Sequence, residues 1–216
     1  MRCCIAAGAV AWAGAYYLGR TWGSTRDERA ARLPGDELVP NPVLGGNHAI
    51  TIRARPAAVW PWLLQVGWGR GGWYTYRWVD RLLFPDNRPS AVTILPQFQD
   101  LDVGDRIPDG PPQSGCFFVV EAIEPERALV LRSTTHLPPS LQNKSWVRLN
   151  WTWAFVLEPQ GSEATRFQFR WRAELQPLWL RLLFDALITP ADFLMGRSMC
   201  KGLKRRAEAL SRAPET

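Results

Sequence analysis

Two stretches in the C-terminal half of the chain place an apolar residue at every second position. The first is Val147, Leu149, Trp151, Trp153, Phe155 and Leu157, and the second is Phe167, Phe169, Trp171, Ala173 and Leu175. A period of two predicts strands with one buried and one solvent-facing side. Residues 158–165 separate the two stretches and contain Pro159 and Gly161, which favours a turn. Residues 145–175 therefore predict a long antiparallel hairpin.

The apolar side of this hairpin needs a cover. It carries eleven residues, among them three tryptophans and three phenylalanines, and burying one large side chain contributes about 1.5–3 kcal/mol. The C-terminal segment supplies a helical stripe with steps of three and four residues: Phe193, Gly196, Cys200, Leu203, Ala207 and Leu210, widened by Met195 and Met199. We predict that this helix starts at Thr189-Pro190, covers the sheet, and follows a separate helix over residues 177–188.

The sequence that precedes the long hairpin predicts several shorter helices and strands. We predict a strand over residues 48–53, helices over 56–66 and 76–84, and a hairpin formed by 116–124 and 129–133. Residues 67–72, GWGRGG, match the letters of the dinucleotide fingerprint GxGxxG. That fingerprint requires a strand before it and a helix after it, whereas a helix precedes it here. These glycines therefore predict a tight loop instead of a nucleotide site.

The first residues form an uncharged, largely apolar run. Residues 3–19 lie between Arg2 and Arg20, and as a helix they span about 25 Å against a hydrocarbon core of about 30 Å. We predict a single N-terminal membrane anchor, residues 1–22, with the folded domain on the cytoplasmic side because arginines are more frequent downstream of the run. Two alternatives stay open, a signal peptide cleaved after residues 13–15 and a segment that is neither.

A linker is predicted between this run and the main domain. Thr25 and Glu28 have the spacing of a capping box, which predicts a short helix over residues 25–32. Prolines and glycines then mark irregular chain up to about residue 45. The predicted organisation is an N-terminal segment (1–22), a linker with a short helix (23–45), a main domain (46–211) and a tail (212–216).

Composition narrows the classes of function. Apolar residues make up 46% and charged residues 21%, which is typical of a globular protein. The net charge of +6 is spread along the chain without a basic run among exposed aromatics, so we predict no nucleic-acid partner. The four cysteines, Cys3, Cys4, Cys116 and Cys200, lack the spacing of a zinc site, and we predict no metal and no cofactor.

Four segments resemble bacterial members of the START-like SRPBCC superfamily, which are described as polyketide cyclase/dehydrase-like or lipid-transport-like. They are LPGDELVP (33–40), ITIRARPAAVWPWLLQVGWGRGGWYTY (50–76), PQFQDLDVGDRI (96–107) and PADFLMGRSMCKGLKRRAE (190–208). The resemblance covers about residues 24–210. It implies an α+β helix-grip fold, as in START and Bet v 1-like proteins, with a curved antiparallel sheet wrapped around a long C-terminal helix. Members bind apolar ligands between sheet and helix; some are cyclases, and some are oxygenase subunits.

No catalytic constellation emerges from the residues. The chain has no GxSxG or HExxH motif and no paired-carboxylate spacing. Its two histidines, His48 and His136, are interpreted as structural or exposed. We therefore predict no catalytic residue and interpret the chain as a binding module in preference to an enzyme.

The preferred hypothesis is a membrane-tethered domain that binds a lipid, isoprenoid or polyketide-like molecule in an aromatic cavity. The predicted ligand-binding residues are Trp151, Trp153, Phe169 and Trp171 on the sheet, Phe193 and Met199 on the helix, and Trp73, Tyr74 and Phe98 near the opening. One alternative is a cyclase or hydrolase acting on such a ligand. The other is a ligand-free interaction module, for which we expect the tryptophans to pack without a cavity. The oligomeric state is left open.

Overall fold

A computed structural model of the protein describes residues 2–83 and 88–212 and shows an α+β architecture. Within those residues the helices are α1 Arg2–Thr21, α2 Arg26–Ala30, α3 Pro56–Leu64, α4 Arg77–Leu83, α5 Pro139–Gln142 and α6 Leu178–Leu210. The strands are β1 Leu44–Ile52, β2 Arg106–Pro108, β3 Phe117–Glu124, β4 Ala128–Ser133, β5 Arg148–Gln160 and β6 Ala164–Gln176. These strands form one antiparallel sheet in the order β1-β6-β5-β4-β3-β2.

The predicted long hairpin is confirmed as β5 and β6. Trp153 pairs with Trp171, and Leu157 pairs with Phe167, so the apolar positions of both strands lie on the same side of the sheet. The turn is shorter than the break in the pattern suggested. Pairing continues from Glu158 to Gln160 although these residues are exposed, because backbone hydrogen bonds do not require an apolar side chain.

Helix α6 is continuous over 33 residues, so the predicted break at Thr189-Pro190 is wrong. A proline within a helix removes the N–H that would bond the carbonyl four residues earlier, which here is Ala186. Nε1 of Trp12 in α1 donates to that carbonyl oxygen at 3.2 Å. The hydroxyl of Thr189 donates to Oδ1 of Asp185 at 2.8 Å, within the helix. A contact from α1 therefore compensates for the missing backbone bond.

Two glycines allow α6 to lie close to the rest of the domain. A Cβ atom at Gly196 would stand 2.9 Å from the ring of His48 on β1. A Cβ at Gly202 would overlap the backbone carbonyl of Tyr74, a residue whose own φ is +60°. The second half of α6 therefore packs directly on β1 and on the segment after α3, while its first half exposes Leu178, Trp179, Leu182, Leu183 and Leu187.

The predicted membrane anchor is wrong. In the described part of the chain, no helix combines the length and the hydropathy that crossing a membrane requires. Residues 2–21 do form a helix, α1, although the side chains of residues 2–7 lie outside the description. Alanine and glycine make up much of α1, so its hydropathy is modest. Two of its polar side chains, Tyr16 and Arg20, donate hydrogen bonds to Asp185 of α6, both at 2.8 Å. The predicted placement of the domain on the cytoplasmic side, which depended on the anchor, is withdrawn with it.

The shorter elements largely follow the sequence. The capping box of α2 is confirmed, since Glu28 N–H donates to the Thr25 hydroxyl and Thr25 N–H donates to the Glu28 carboxylate. Gly67 and Gly72 have positive φ angles, as expected of a tight glycine loop. β1 begins earlier than predicted, at Leu44. Most of the predicted tail, residues 213–216, lies outside the described residues.

Candidate functional site

A cavity of about 460 Å³ lies between the sheet and the first half of α6. Its sheet wall is formed by three tryptophans, Trp151, Trp153 and Trp171. Its helix wall is formed by Phe184, Ile188, Ala191, Asp192 and Met195. Two loops close the remaining side with Asp109, Gly110, Pro111, Ser114, Cys116, His136, Leu137 and Pro138. Its volume lies within the range of pockets that hold small molecules.

The three tryptophans form a continuous aromatic wall. The indole of Trp151 stands edge-on to Trp153 at 5.7 Å and to Trp171 at 6.3 Å between ring centroids. Edge-to-face pairs at these distances add to the energy of burial. Trp151 also meets Phe184 of α6 at 5.8 Å, so the aromatic lining continues from the sheet to the helix.

Asp192 fixes the orientation of this wall from the helix side. Its Oδ2 atom accepts a hydrogen bond from Nε1 of Trp171 at 2.6 Å and lies 2.5 Å from Nε2 of His48. His48 is fully buried, and its Nδ1 atom has no partner among the described residues. The carboxylate thus joins β6, β1 and α6 at one point.

A second polar group, the pair His136–Asp109, lines the loop side of the cavity. Nε2 of His136 lies 2.8 Å from Oδ2 of Asp109, and Nδ1 lies 2.6 Å from the Ser133 hydroxyl. Both side chains are about nine-tenths buried. The other carboxylate oxygen of Asp109, Oδ1, is buried and has no hydrogen-bond partner in the described structure.

When His136 is neutral, one arrangement of protons satisfies the neighbouring hydrogen bonds of this pair. Thr135 Oγ1 donates to the carbonyl of Phe117, and Thr135 N–H donates to the Ser133 hydroxyl oxygen. The Ser133 proton is then free to be donated to Nδ1 of His136. A neutral His136 accepts it there and donates its Nε2 proton to the Asp109 carboxylate. Asp109 Oδ1 is consequently the acceptor with spare capacity.

Cys116 lines the same side of the cavity but is not an activated nucleophile. Burial raises the pKa of its thiol, and the Asp109 carboxylate acts in the same direction. Its sulfur lies 3.5 Å from the carbonyl oxygen of Thr135. A thiol with a raised pKa is a poor nucleophile near neutral pH, because the thiolate is the reactive form.

The nine predicted binding residues fall into two groups. Trp151, Trp153 and Trp171 line the cavity, and whether they contact a ligand stays a prediction. Phe169 and Met199 are buried in the core; Phe169 stacks on His48 and meets Trp153 edge-on. Phe193 is half-buried near Arg197, outside the cavity lining.

Trp73, Tyr74 and Phe98 do not stand at an opening of this cavity. Trp73 is buried edge-on against Trp153 at 5.1 Å. Tyr74 is also buried, its hydroxyl donates to the carbonyl of Trp62 at 2.6 Å, and burial raises its pKa. Phe98 packs under the guanidinium of Arg70. Tyr74 is thus bonded to α3, Phe98 packs on Arg70 next to α3, and Trp73 packs on the sheet.

Sequence reasoning missed Asp109, His136 and Asp192 as site residues. Asp109 and His136 lie in loops 27 residues apart, and no spacing rule links them. Asp192 was interpreted only as part of a helix start. Among the described residues, no group of three or more His, Cys, Asp or Glu side chains has an arrangement suited to a metal ion.

No protein-family model matches the chain, and no curated protein matches it. It is similar to solved structures at low identity. Norcoclaurine synthase from Thalictrum flavum is 11% identical, with 86% of this chain and 97% of that chain covered and a TM-score of 0.44. The Zhui aromatase/cyclase from Streptomyces sp. R1128 is 14% identical, with coverages of 79% and 96% and a TM-score of 0.40. Protein MLL2253 from Mesorhizobium loti is 15% identical, with coverages of 80% and 100% and a TM-score of 0.42.

Similarity at this level carries no argument about function. The architecture is read from the chain itself, in which β1, two short helices, a run of antiparallel strands and a long C-terminal helix follow one another. This is the helix-grip arrangement that the resemblance to the SRPBCC superfamily implied. The predicted α+β fold, an antiparallel sheet with a long C-terminal helix, is confirmed, but the membrane helix predicted to precede it is not.

Proposed function

We propose that the protein binds a small, largely apolar molecule in the cavity between the sheet and α6. The cavity itself carries the proposal, because its tryptophan and helix walls leave a space of about 460 Å³ instead of packing together. A filled core, which the interaction-module hypothesis requires, has no such space. Lipid, isoprenoid and polyketide-like molecules are the classes that an apolar lining of this size favours.

The polar groups of the lining restrict the ligand further. Oδ1 of Asp109 is a buried acceptor without a partner, and leaving such an atom unpaired costs about 1–3 kcal/mol. A ligand hydroxyl that donates to it would remove this cost. The preferred ligand is therefore an apolar body with at least one hydroxyl group.

The test is to block the cavity with a larger side chain introduced on its helix wall. Ile188 lines the cavity, whereas the adjacent Leu187 is exposed, so Ile188→Trp and Leu187→Trp add the same bulk at a cavity-lining and at an exposed position of α6. The probe is N-phenyl-1-naphthylamine, a neutral apolar fluorophore. We expect the wild type and Leu187→Trp to bind it alike and Ile188→Trp to bind at least about tenfold more weakly, a difference of about 1.4 kcal/mol.

Equal binding by Ile188→Trp and the wild type would overturn the proposal, provided that circular dichroism shows both to be folded. The natural ligand is sought by gentle purification from the native host, extraction and mass spectrometry. A defined compound near one equivalent supports the proposal and supplies the substrate for an enzymatic assay.

A second candidate function, proton-transfer catalysis on the bound molecule, is favoured by the pair His136–Asp109. A buried carboxylate with one unpaired oxygen, held by a histidine that is itself held by Ser133, is an arrangement that can accept and return a proton. The reaction class is an acid–base rearrangement or ring closure of an oxygen-bearing ligand, of the kind that the cyclase alternative requires.

Catalysis is tested with the compound that co-purifies with the protein. We expect the wild type to convert it and Asp109→Asn to lose at least about a hundredfold in kcat while retaining binding, because asparagine keeps the shape but not the basicity. If the ligand were unchanged after prolonged incubation with the wild type, the catalytic function would be ruled out and only the binding function would remain.

A further inference from the structure

A second cleft, of about 700 Å³ and more open than the cavity, lies at the sheet edge formed by β1. It is bordered by the end of α1, by residues 29–42 and by parts of β1 and β6. Trp171 is the one residue that lines both spaces, so the cleft is a separate compartment. The proposed function does not use it.

The lining of this cleft is strongly basic. It contains five arginines, Arg20, Arg29, Arg32, Arg170 and Arg172, against two acidic residues, Asp36 and Glu37. Arg20 lies near the end of α1, and Arg29 and Arg32 lie between α1 and β1. All three are far in sequence from the two arginines on β6. The fold therefore gathers positive charge from separate elements at one edge of the sheet.

Two of the arginines have structural roles. Arg170 is buried and donates to Asp36, Asn47 and the backbone carbonyl of Ala31. Arg172 lies 2.8 Å from the other oxygen of Asp36. Asp36 is thus shared by two guanidinium groups and cannot neutralise both, which leaves a positive balance at the floor of the cleft.

The other three arginines have guanidinium N–H groups that are not used in hydrogen bonds within the described structure. Among the described residues, Arg32 is exposed and has neither an ion-pair nor a hydrogen-bond partner. In the described part of the chain, the Arg29 side chain donates only to the hydroxyl and carbonyl oxygens of Ser24. Arg20 is paired with Asp185 through one terminal nitrogen, but its Nε atom is buried without an acceptor in the described structure.

We propose that this cleft binds an oxyanion, a phosphate or a carboxylate group, through Arg20, Arg29 and Arg32. The planar guanidinium fork matches the paired oxygens of both groups, and charge-assisted bonds of this kind are about twice as strong as neutral ones. An oxyanion would also give the buried Nε of Arg20 the acceptor that it lacks.

The experiment is calorimetric titration of the full chain with inorganic pyrophosphate and, separately, with citrate. The first probe carries phosphate oxygens and the second carboxylate oxygens, so the pair distinguishes the two chemistries. Ionic strength is held constant with KCl, because screening weakens exposed charge interactions in general.

The variant is Arg32→Gln, and its matched control is Arg127→Gln, which removes the same charge at the exposed β3–β4 turn. We expect at least one probe to bind the wild type and Arg127→Gln alike and to bind Arg32→Gln at least fivefold more weakly. Since Arg32 has no partner among the residues that the structure describes, its replacement should leave the unfolding temperature unchanged. Arg29→Gln should weaken binding in the same direction.

Failure of both probes to bind the wild type, or an equal loss in the two charge variants, would overturn the proposal. An equal loss in the two variants would mean that anion binding depends on the net charge of the protein and not on the cleft. Binding of neutral N-phenyl-1-naphthylamine in the cavity is measured in parallel. A failure of the anion-binding proposal can thus be distinguished from a failure of the apolar-ligand proposal.

Discussion

The indole N–H of Trp12 donates to the carbonyl oxygen of Ala186, 3.2 Å away and 174 residues later in the chain. That carbonyl is the one that Pro190 leaves without its usual backbone donor. The N-terminal helix thus completes a hydrogen bond that α6 cannot make by itself. Residues near the N-terminus thus contribute a hydrogen bond to the helix that forms one wall of the cavity.

Replacing Trp12 by phenylalanine tests this contribution. Phenylalanine keeps a ring that can stack on Tyr16 but has no N–H, so we expect a loss of about 0.5–1.5 kcal/mol in the free energy of unfolding. Urea denaturation measures it. Tyr17→Phe is the control, because the Tyr17 side chain is largely exposed on the same helix and should be neutral. A Trp12→Phe variant as stable as Tyr17→Phe would argue against the bond.

Close approach of α1 to α6 occurs at Gly19. A Cβ atom there would overlap the carbonyl of Thr189, whereas a Cβ at Gly14, in the same helix, would meet nothing within 4 Å. We expect Gly19→Ala to destabilise the protein by about 1–3 kcal/mol through overpacking. Gly14→Ala should be neutral or stabilising by up to about 1 kcal/mol, since alanine favours a helix. Thermal unfolding should give a lower midpoint for Gly19→Ala and an unchanged or higher midpoint for Gly14→Ala; equal shifts would contradict the packing.

Acid should weaken the contact between α1 and α6. Burial alone would raise the pKa of Asp185, but hydrogen bonds from Arg20, Thr189 and Tyr16 outweigh it and hold that pKa below its ordinary 3.8. A depressed pKa contributes stability that is present above about pH 4 and is lost as pH falls through the lower folded-state value. The stability difference between the wild type and Asp185→Asn should therefore be constant near neutrality and shrink below about pH 4. Asp100→Asn, at an exposed position, is the control.

Asp192 is expected to matter for stability as well as for the shape of the cavity. Asp192→Ala leaves Nε1 of Trp171 and the Nε2 atom of His48 without their partner, and each unsatisfied buried group costs about 1–3 kcal/mol. Asp192→Asn retains one acceptor oxygen, so it should recover part of the loss in urea denaturation. If the two variants were equally stable, the carboxylate would not be joining the sheet to the helix.

Cys116 offers a chemical report on the cavity. Because burial raises the pKa of its thiol, iodoacetamide should modify it more slowly than free cysteine at pH 7.5. Saturating N-phenyl-1-naphthylamine should slow the modification further, since the side chain lines the cavity. Mass spectrometry of the modified peptide measures both rates, and Cys116→Ser confirms the peptide. If the rate of Cys116 modification did not change in the presence of the probe, the probe would be bound outside this cavity.

The strands were predictable because their signal is local. Alternation along β5 and β6 and the turn between them determine which side chains share a face, and the observed register agrees. The continuity of α6 was not predictable, because the donor that compensates for Pro190 comes from Trp12, at the other end of the chain. The local rule predicts a helix start at Thr189-Pro190, whereas the structure has one continuous helix across these residues.

The site was predictable only on its sheet side. The periodicity of α6 identified Met199 as facing the sheet, which is correct, but periodicity does not distinguish a residue packed against atoms from one that borders a space. The cavity lies against the earlier turns of the helix, at Phe184, Ile188 and Met195. Its polar pair, Asp109 and His136, is brought together by loops whose conformations depend on the whole sheet edge.

The tryptophan wall has a consequence for how the protein can be observed. Trp73 and Trp153 lie 5.1 Å apart, and Trp151 and Trp153 lie 5.7 Å apart, which is close enough for their electronic transitions to couple. Coupled indoles give near-ultraviolet circular dichroism that depends on their mutual angles, and two of these three rings border the cavity. A molecule that enters and tilts either ring will change that spectrum. The near-ultraviolet circular dichroism of the tryptophans can therefore report ligand binding without an added label.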